Sequence, residues 1–236
     1  MRTLGVDLAS QPANTSVAVL EGTTVAELHS TADDDTIVEL AARCDAVGID
    51  APLGWPDAFV AMVNAHHRRD ALPGAEPGAL QLRHTDLVVH ERTGKRPLSV
   101  STDRIGVVAL RAIRLLERLA GSGADRSGAA GIYETYPGGA VAHWALVDRS
   151  YKRADSTPER TAIVDALGTH LDFGPHRDRT IARDDDLDAV LCAALAALAH
   201  RRLTPRPDAD QEEIAAREGW IHVPGGPLSD LRHLAD

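Results

Sequence analysis

Thr3-Leu4-Gly5-Val6-Asp7-Leu8, Gln11-Pro12-Ala13-Asn14, Thr15 to Leu20, Glu21-Gly22 and Thr23 to His29 together decide the fold class. The first run is short, apolar and closes on a carboxylate. A Pro/Asn turn separates it from a β-branched run, and Glu21-Gly22 is a tight turn into an alternating third run. Apolar, β-branched runs bounded by such turn signals read as strands. Joined by short connections, they form a three-stranded antiparallel meander.

Beyond the meander, Asp33, Asp34 or Asp35 caps a helix to Cys44, with acids favoured at its positive end. Ala46-Val47-Gly48-Ile49-Asp50 is a fourth strand, again closing on aspartate, and Ala51 to Pro56 is a rigid loop. Asp57 starts a helix towards Arg69. Leu72 to Leu98, carrying Pro73, Gly74, Pro77, Gly78, Gly94 and Pro97, reads as irregular. A long helix runs from Thr102 or Asp103 to about Ala120, and Gly121 to Gly131 is a small-residue linker. Gly131 to Tyr136 is a fifth strand, and Pro137 begins a helix through Trp144 to Val147. Further helices cover Thr157 to Leu167, Asp184 to His200 and Ala209 to Arg217, before a short strand at Trp220 to Val223. This order predicts one α/β domain over 1–236 with an RNase H-like fold. Its mixed central sheet extends the meander by parallel strands and is flanked by helices. A helical and irregular insertion is expected at about 57–130. A hairpin follows the first strand and no Gly-x-Gly-x-x-Gly does, which excludes a plain dinucleotide-binding fold.

At 44% hydrophobic and 3% aromatic residues, the core must be built mainly from Ala, Val, Leu and Ile. Cys44 and Cys192 lack metal-ligand spacing and are expected to be buried thiols in a reducing compartment. Met1 to Ser10 lacks a signal-peptide pattern, and no run approaches the roughly 18 apolar residues of a membrane span. A cytoplasmic location without a membrane partner is therefore expected. A formal charge of −10 argues against general nucleic-acid coating. Between Arg83 and Arg118, however, eight basic residues face four acidic ones. That stretch is either a local basic surface or a solvated helix face.

Carboxylates recur at element ends: Asp7 after the first strand, Asp50 after the fourth, Glu134 in the fifth, and Asp185 with Asp188 at a helix head. The first and fourth strands are central neighbours in the expected sheet, which puts Asp7 beside Asp50, and the late helix can set its head across them. Two or three close carboxylates need a cation if all are to ionise. Hard oxygen donors suit magnesium or manganese, and such ions serve phosphodiester hydrolysis. Bland readings stand beside these. Asp184-Asp185-Asp186 is a natural helix cap, and Glu134 can pair with a buried arginine. Arg83 in Arg83-His84-Thr85-Asp86 is either a phosphate contact or half of a structural Arg–Asp pair. Ser99 to Arg104 is either an anion site or a helix start. Lys152 of Tyr151-Lys152 is either a cation for a phosphate or a surface lysine.

The sequence resembles the group of predicted RNase H-fold nucleases described as domain of unknown function 429. The matching pieces include Gly5 to Ala9, Gly48 to Pro56, Arg83 to Asp86, Pro97 to Ser101, Glu134 to Pro137, Tyr151-Lys152, Asp185 to Ala189 and Glu218 to Ile221. In that group a His often precedes the last acidic motif, where Asp184 stands here. The resemblance implies an RNase H-like fold with Asp7, Asp50, Glu134 and Asp185/Asp188 as the acidic site. It also implies a metal-dependent nuclease acting on DNA or RNA. On the reading of the residues themselves, Asp7 and Asp188 are the expected principal metal ligands, Asp50, Asp185 and Glu134 complete the shell, and Arg83 and Lys152 are expected contacts to substrate phosphate. An actin-like ATPase or kinase, or a non-catalytic binding module, is the competing expectation for the same fold.

Overall fold

Alternation along the first strand divides the molecule into two layers. A computed structural model describes residues 1–235. In β1 (Arg2–Asp7), Leu4 and Val6 enter a core with Ile37, Leu40, Leu115 and Leu116. Thr3 and Gly5 face the other way, where Thr3 Oγ1 donates to the Ala193 carbonyl at 3.0 Å. This two-residue period is what a pleated strand buried on both faces requires.

β1 pairs antiparallel with β2 (Ser16–Glu21), which pairs antiparallel with β3 (Thr24–His29), as the meander predicts. α1 (Asp34–Ala41) follows, started by the Asp33 side chain accepting from Thr36 N–H at 2.8 Å, and carries the chain to β4 (Ala46–Ile49). β4 lies parallel to β1. Four helices come next: α2 (Asp57–Arg68), α3 (Pro77–Gln81), α4 (His84–Thr93) and α5 (Ile105–Ala120). Then β5 (Ile132–Thr135) joins parallel to β4, followed by α6 (Pro137–His143), α7 (Thr157–Leu167), α8 (Arg177–Ala182), α9 (Asp184–His200) and α10 (Glu212–Glu218). β6 (Ile221–His222) closes the sheet in the order β3-β2-β1-β4-β5-β6. The chain is thus an α/β structure with a mixed six-stranded sheet flanked by helices.

The expectation of an irregular stretch over Leu72 to Leu98 is corrected by α3 and α4. Pro77 sits in the first turn of α3, where its missing N–H costs nothing. α4 starts where Arg83 N–H donates to the Asp86 carboxylate at 2.9 Å. Two hydroxyls of the Ser99 to Arg104 stretch are spent on the end of α3: Ser99 Oγ and Ser101 Oγ donate to the Gln81 and Leu80 carbonyls at 2.6 and 2.7 Å. α5 therefore begins at Ile105, later than Thr102 or Asp103. α8 and the 3₁₀ turn at Leu228–Ala235 were not anticipated. Cys192 is buried as expected, whereas Cys44 is only half-buried.

α9 is the organising helix. From Asp186 to Ala199 it is buried throughout, between the sheet on one side and α7 and the C-terminal turn on the other. Its approach to the sheet is set by two glycines. A Cβ on Gly5 would lie 2.0 Å from the Ala189 carbonyl oxygen, and one on Gly48 2.4 Å from that of Cys192. Any side chain at either position would lift α9 off the strands. Leu187, Leu191 and Leu195 are fully buried, each contributing roughly 1.5–3 kcal/mol. Among the described residues, no helix is long and apolar enough to cross a membrane.

Candidate metal centre

Gly5 pairs with Gly48 across β1 and β4, so Asp7 and Asp50, two residues further along each strand, emerge on the same face. Asp188 precedes Cys192 by one helical turn and therefore lies above the same strands. Asp7, Asp50 and Asp188 each offer a carboxylate oxygen, and these oxygens lie within 4.8 Å of one another. Three residues distant in sequence meet because two glycines let a helix rest on two strands.

This proximity is electrostatically costly. Burial pushes the Asp7 carboxyl well above its usual range, and Asp188 and Asp50 add to the shift against the pull of Lys152. Asp50 is pushed up to about 7, first by burial and then by Asp188 and Glu134, with Lys152 opposing. Lys152 Nζ stands 2.6 Å from Asp188 Oδ2, and Tyr151 Oη donates to Asp188 Oδ1 at 2.7 Å. Burial works against the Lys152 charge, yet the three aspartates outweigh it and hold its pKa well above normal. Its side chain is nevertheless 48% exposed and also lines the neighbouring cavity.

One ammonium against three carboxylates leaves a formal deficit of two charges, which a divalent cation balances. The donor set is all hard oxygen, which fits magnesium or manganese better than zinc.

Residues 5–212 match the family model described as protein of unknown function (DUF429). The chain belongs to the DUF429 family. No curated protein and no solved structure matches it significantly. The matched span of this DUF429 chain contains the whole three-aspartate group and ends before β6.

The other predicted site residues lie elsewhere. Glu134 is outside the aspartate group: its Oε1 and Oε2 accept from Arg83 Nη2 and Nη1 at 2.7 and 2.8 Å. Leu53 N–H donates to Oε2 as well, at 2.9 Å. Burial pushes this carboxyl up, but both oxygens act as acceptors, the pattern of an ionised group held by its arginine. Arg83 is 1% exposed, and its remaining donors go to Asp86 and the Glu218 carbonyl. With all five N–H groups engaged, it has none for a substrate phosphate, and the structural pairing is what the fold presents. Asp185 sits at the rim, 3.1 Å from Arg183, and contributes only weakly to Asp7. Asp186, read as a helix cap, is buried and accepts from Ser16 Oγ at 2.7 Å and Ser30 Oγ at 3.0 Å.

The basic stretch from Arg83 to Arg118 forms no single face. Arg83 is buried, while Arg111 and Arg118 pair with Asp34 and Asp35. Lys95 and Arg96 instead line a cavity of about 380 Å³ that also reaches Asp50 and Lys152. Tyr136 forms part of its wall, and its hydroxyl is pushed up to about 12 by burial and then by Asp50. Sequence reading missed Lys95, Arg96 and Tyr136 as site residues. The adjacent cations in Gly94-Lys95-Arg96-Pro97 were the available signal.

Proposed function

We propose that this chain is a metal-dependent nuclease of RNase H-like fold, hydrolysing phosphodiester bonds with magnesium or manganese. The observation that carries this reading is the convergence of Asp7, Asp50 and Asp188 to within 4.8 Å. Its support from the fold is the antiparallel meander continued by parallel β4 and β5, with the acids at the ends of the two central strands.

In this reading the three aspartates are the ligands. When bound, the ion would lower the pKa of an attacking water and neutralise charge on the phosphate. Tyr151 fixes the Asp188 carboxylate through its hydroxyl, and Lys152 reaches from Asp188 towards the cavity mouth. There its ammonium can neutralise a phosphate oxygen. Hydrolysis adds water to phosphorus and breaks the bond to the leaving oxygen, which takes up a proton. The Tyr136 hydroxyl, neutral at physiological pH, is a donor on the same wall. Glu134 and Arg83 serve as the floor that fixes the loop after β4 through Leu53.

The test is incubation of the protein with manganese or magnesium and a panel of single strands, duplex, branched DNA, RNA and RNA–DNA hybrid. Asp7→Asn and Asp188→Asn run alongside, with folding checked by circular dichroism. Metal-dependent cleavage lost in both variants is the expected result. Metal binding without cleavage of any polymer would move the reading to a smaller phosphoester. Absence of both would leave a silent module in which Lys152 is the permanent counter-ion.

A further inference from the structure

The cavity beside the metal centre has a composition that the hydrolysis reading does not itself require. Its wall joins Pro97, Leu98, Ile105 and Ile221 to the cations Lys95, Arg96 and Lys152, while Asp50 and the Arg83–Glu134 pair line its inner end. Among the described residues, neither Lys95 nor Arg96 enters an ion pair. Lys95 is laid across the start of α6: a Cβ on Gly138 would meet its Nζ at 3.4 Å. The loop carrying these residues is tied down by Ser99 and Ser101 to the end of α3, so the wall is built before any ligand arrives. Among the described residues no acceptor engages the Tyr136 hydroxyl, and its ring lies where Gly139 leaves room, 2.5 Å from the position of a Cβ there.

An apolar wall with unpaired cations and an open hydroxyl suits an anion attached to a flat apolar body. Pockets for small molecules run from about 300 to 1,000 Å³. At about 380 Å³ this one is at the small end, room for one nucleotide and too little for a base pair. Resting on the nuclease reading, we propose that the cavity seats one unpaired nucleotide, so that the centre acts on single strands rather than on intact duplex. The phosphate faces Lys95, Arg96 and Lys152, and the base lies against the Pro97–Leu98 and Ile221 wall. Such seating requires the nucleotide to leave its stack, which paired DNA resists.

The test compares hydrolysis of one oligonucleotide, single-stranded and as a perfect duplex, by the full chain with manganese. The expected kcat/KM favours the single strand by ten-fold or more. Lys95→Ala/Arg96→Ala should raise KM for the single strand about ten-fold with kcat little changed, the loss expected for charge-assisted phosphate contacts. Leu98 is 60% exposed, so Leu98→Trp fills the cavity mouth without touching the core and should raise KM similarly. Equal cleavage of both substrates, or an unchanged KM in both variants, overturns the proposal while leaving the nuclease reading intact. If the wild-type chain cuts neither substrate, the nuclease reading falls and the strand preference with it, leaving the nucleotide seat to be tested. Calorimetric titration with a nucleoside 5′-monophosphate then decides the cavity. Binding that weakens about ten-fold in both variants upholds the site, and no binding to the wild type removes it.

Discussion

Two acidic clusters stand at neighbouring strand ends and are neutralised in opposite ways. At the end of β5, Glu134 and Asp86 share Arg83, whose five donors are all engaged and whose side chain is 1% exposed. At the ends of β1 and β4, three aspartates share one ammonium on a half-exposed side chain. The first cluster is short by one charge, and although Arg83 and Glu134 border the same cavity, the arginine has no donor left for a ligand. The second is short by two charges, and its Asp50 and Lys152 face that cavity with an ammonium on a half-exposed side chain. Acidic residues alone do not mark a site; the shortage of fixed positive charge around them does.

The comparison breaks most visibly at Arg83. Arg83→Ala should cost about 3–5 kcal/mol in urea unfolding, because Glu134 and Asp86 would be left buried without a partner. Arg83→Lys should recover little, since a point charge cannot reproduce the fork to two carboxylates. A cost below about 1 kcal/mol would show that the closed cluster is not structural. Gly48→Ala should come next. Its Cβ meets the Cys192 carbonyl, so at least the roughly 1–3 kcal/mol of overpacking is expected, together with weaker manganese binding by calorimetry.

Asp7→Asn should act in the other direction. Removing one of three mutually repelling carboxylates should stabilise the metal-free protein by about 0.5–2 kcal/mol in thermal unfolding while abolishing metal binding. Loss of stability instead would place Asp7 with the structural acids. A further effect is in pH. The folded-state pKa of Asp50, about 7, lies above its ordinary 3.8, so the folded protein holds a proton that the unfolded chain has released. That contribution is complete below about pH 4 and is lost as pH rises through about 7. Metal-free wild type should therefore lose stability between pH 5 and 8 relative to Asp50→Asn. Parallel melting curves for the two would contradict the shift.

The meander was legible because each of its strands is bounded by its own turn residues, a local signal. Asp7, Asp50 and Asp188 were legible for a related reason: each ends or heads an element whose neighbours topology fixes. α4 was not: its Arg83–Asp86 start is local but lies among Pro and Gly residues, and the Arg83 guanidinium is spent on Glu134 from β5. The same long-range pair explains why Glu134 and Arg83 read equally well as site residues. Nothing near either residue announces the other. Asp186 looked like a helix cap because the hydroxyls that hold it, Ser16 and Ser30, belong to the meander. Lys95 and Arg96 lie in a Gly/Pro-bounded segment, where composition says loop and only the folded chain shows what the loop faces.

The contact of α9 with Gly5 and Gly48 is made by backbone atoms. Side chains can change rotamer to accommodate a shift, but a carbonyl against a strand has no such freedom. The spacing of Asp188 from Asp7 and Asp50 is therefore settled when the sheet and helix come together. The centre is preorganised: the entropy of gathering three charged groups from distant parts of the chain is met in folding, and an arriving ligand finds that work done.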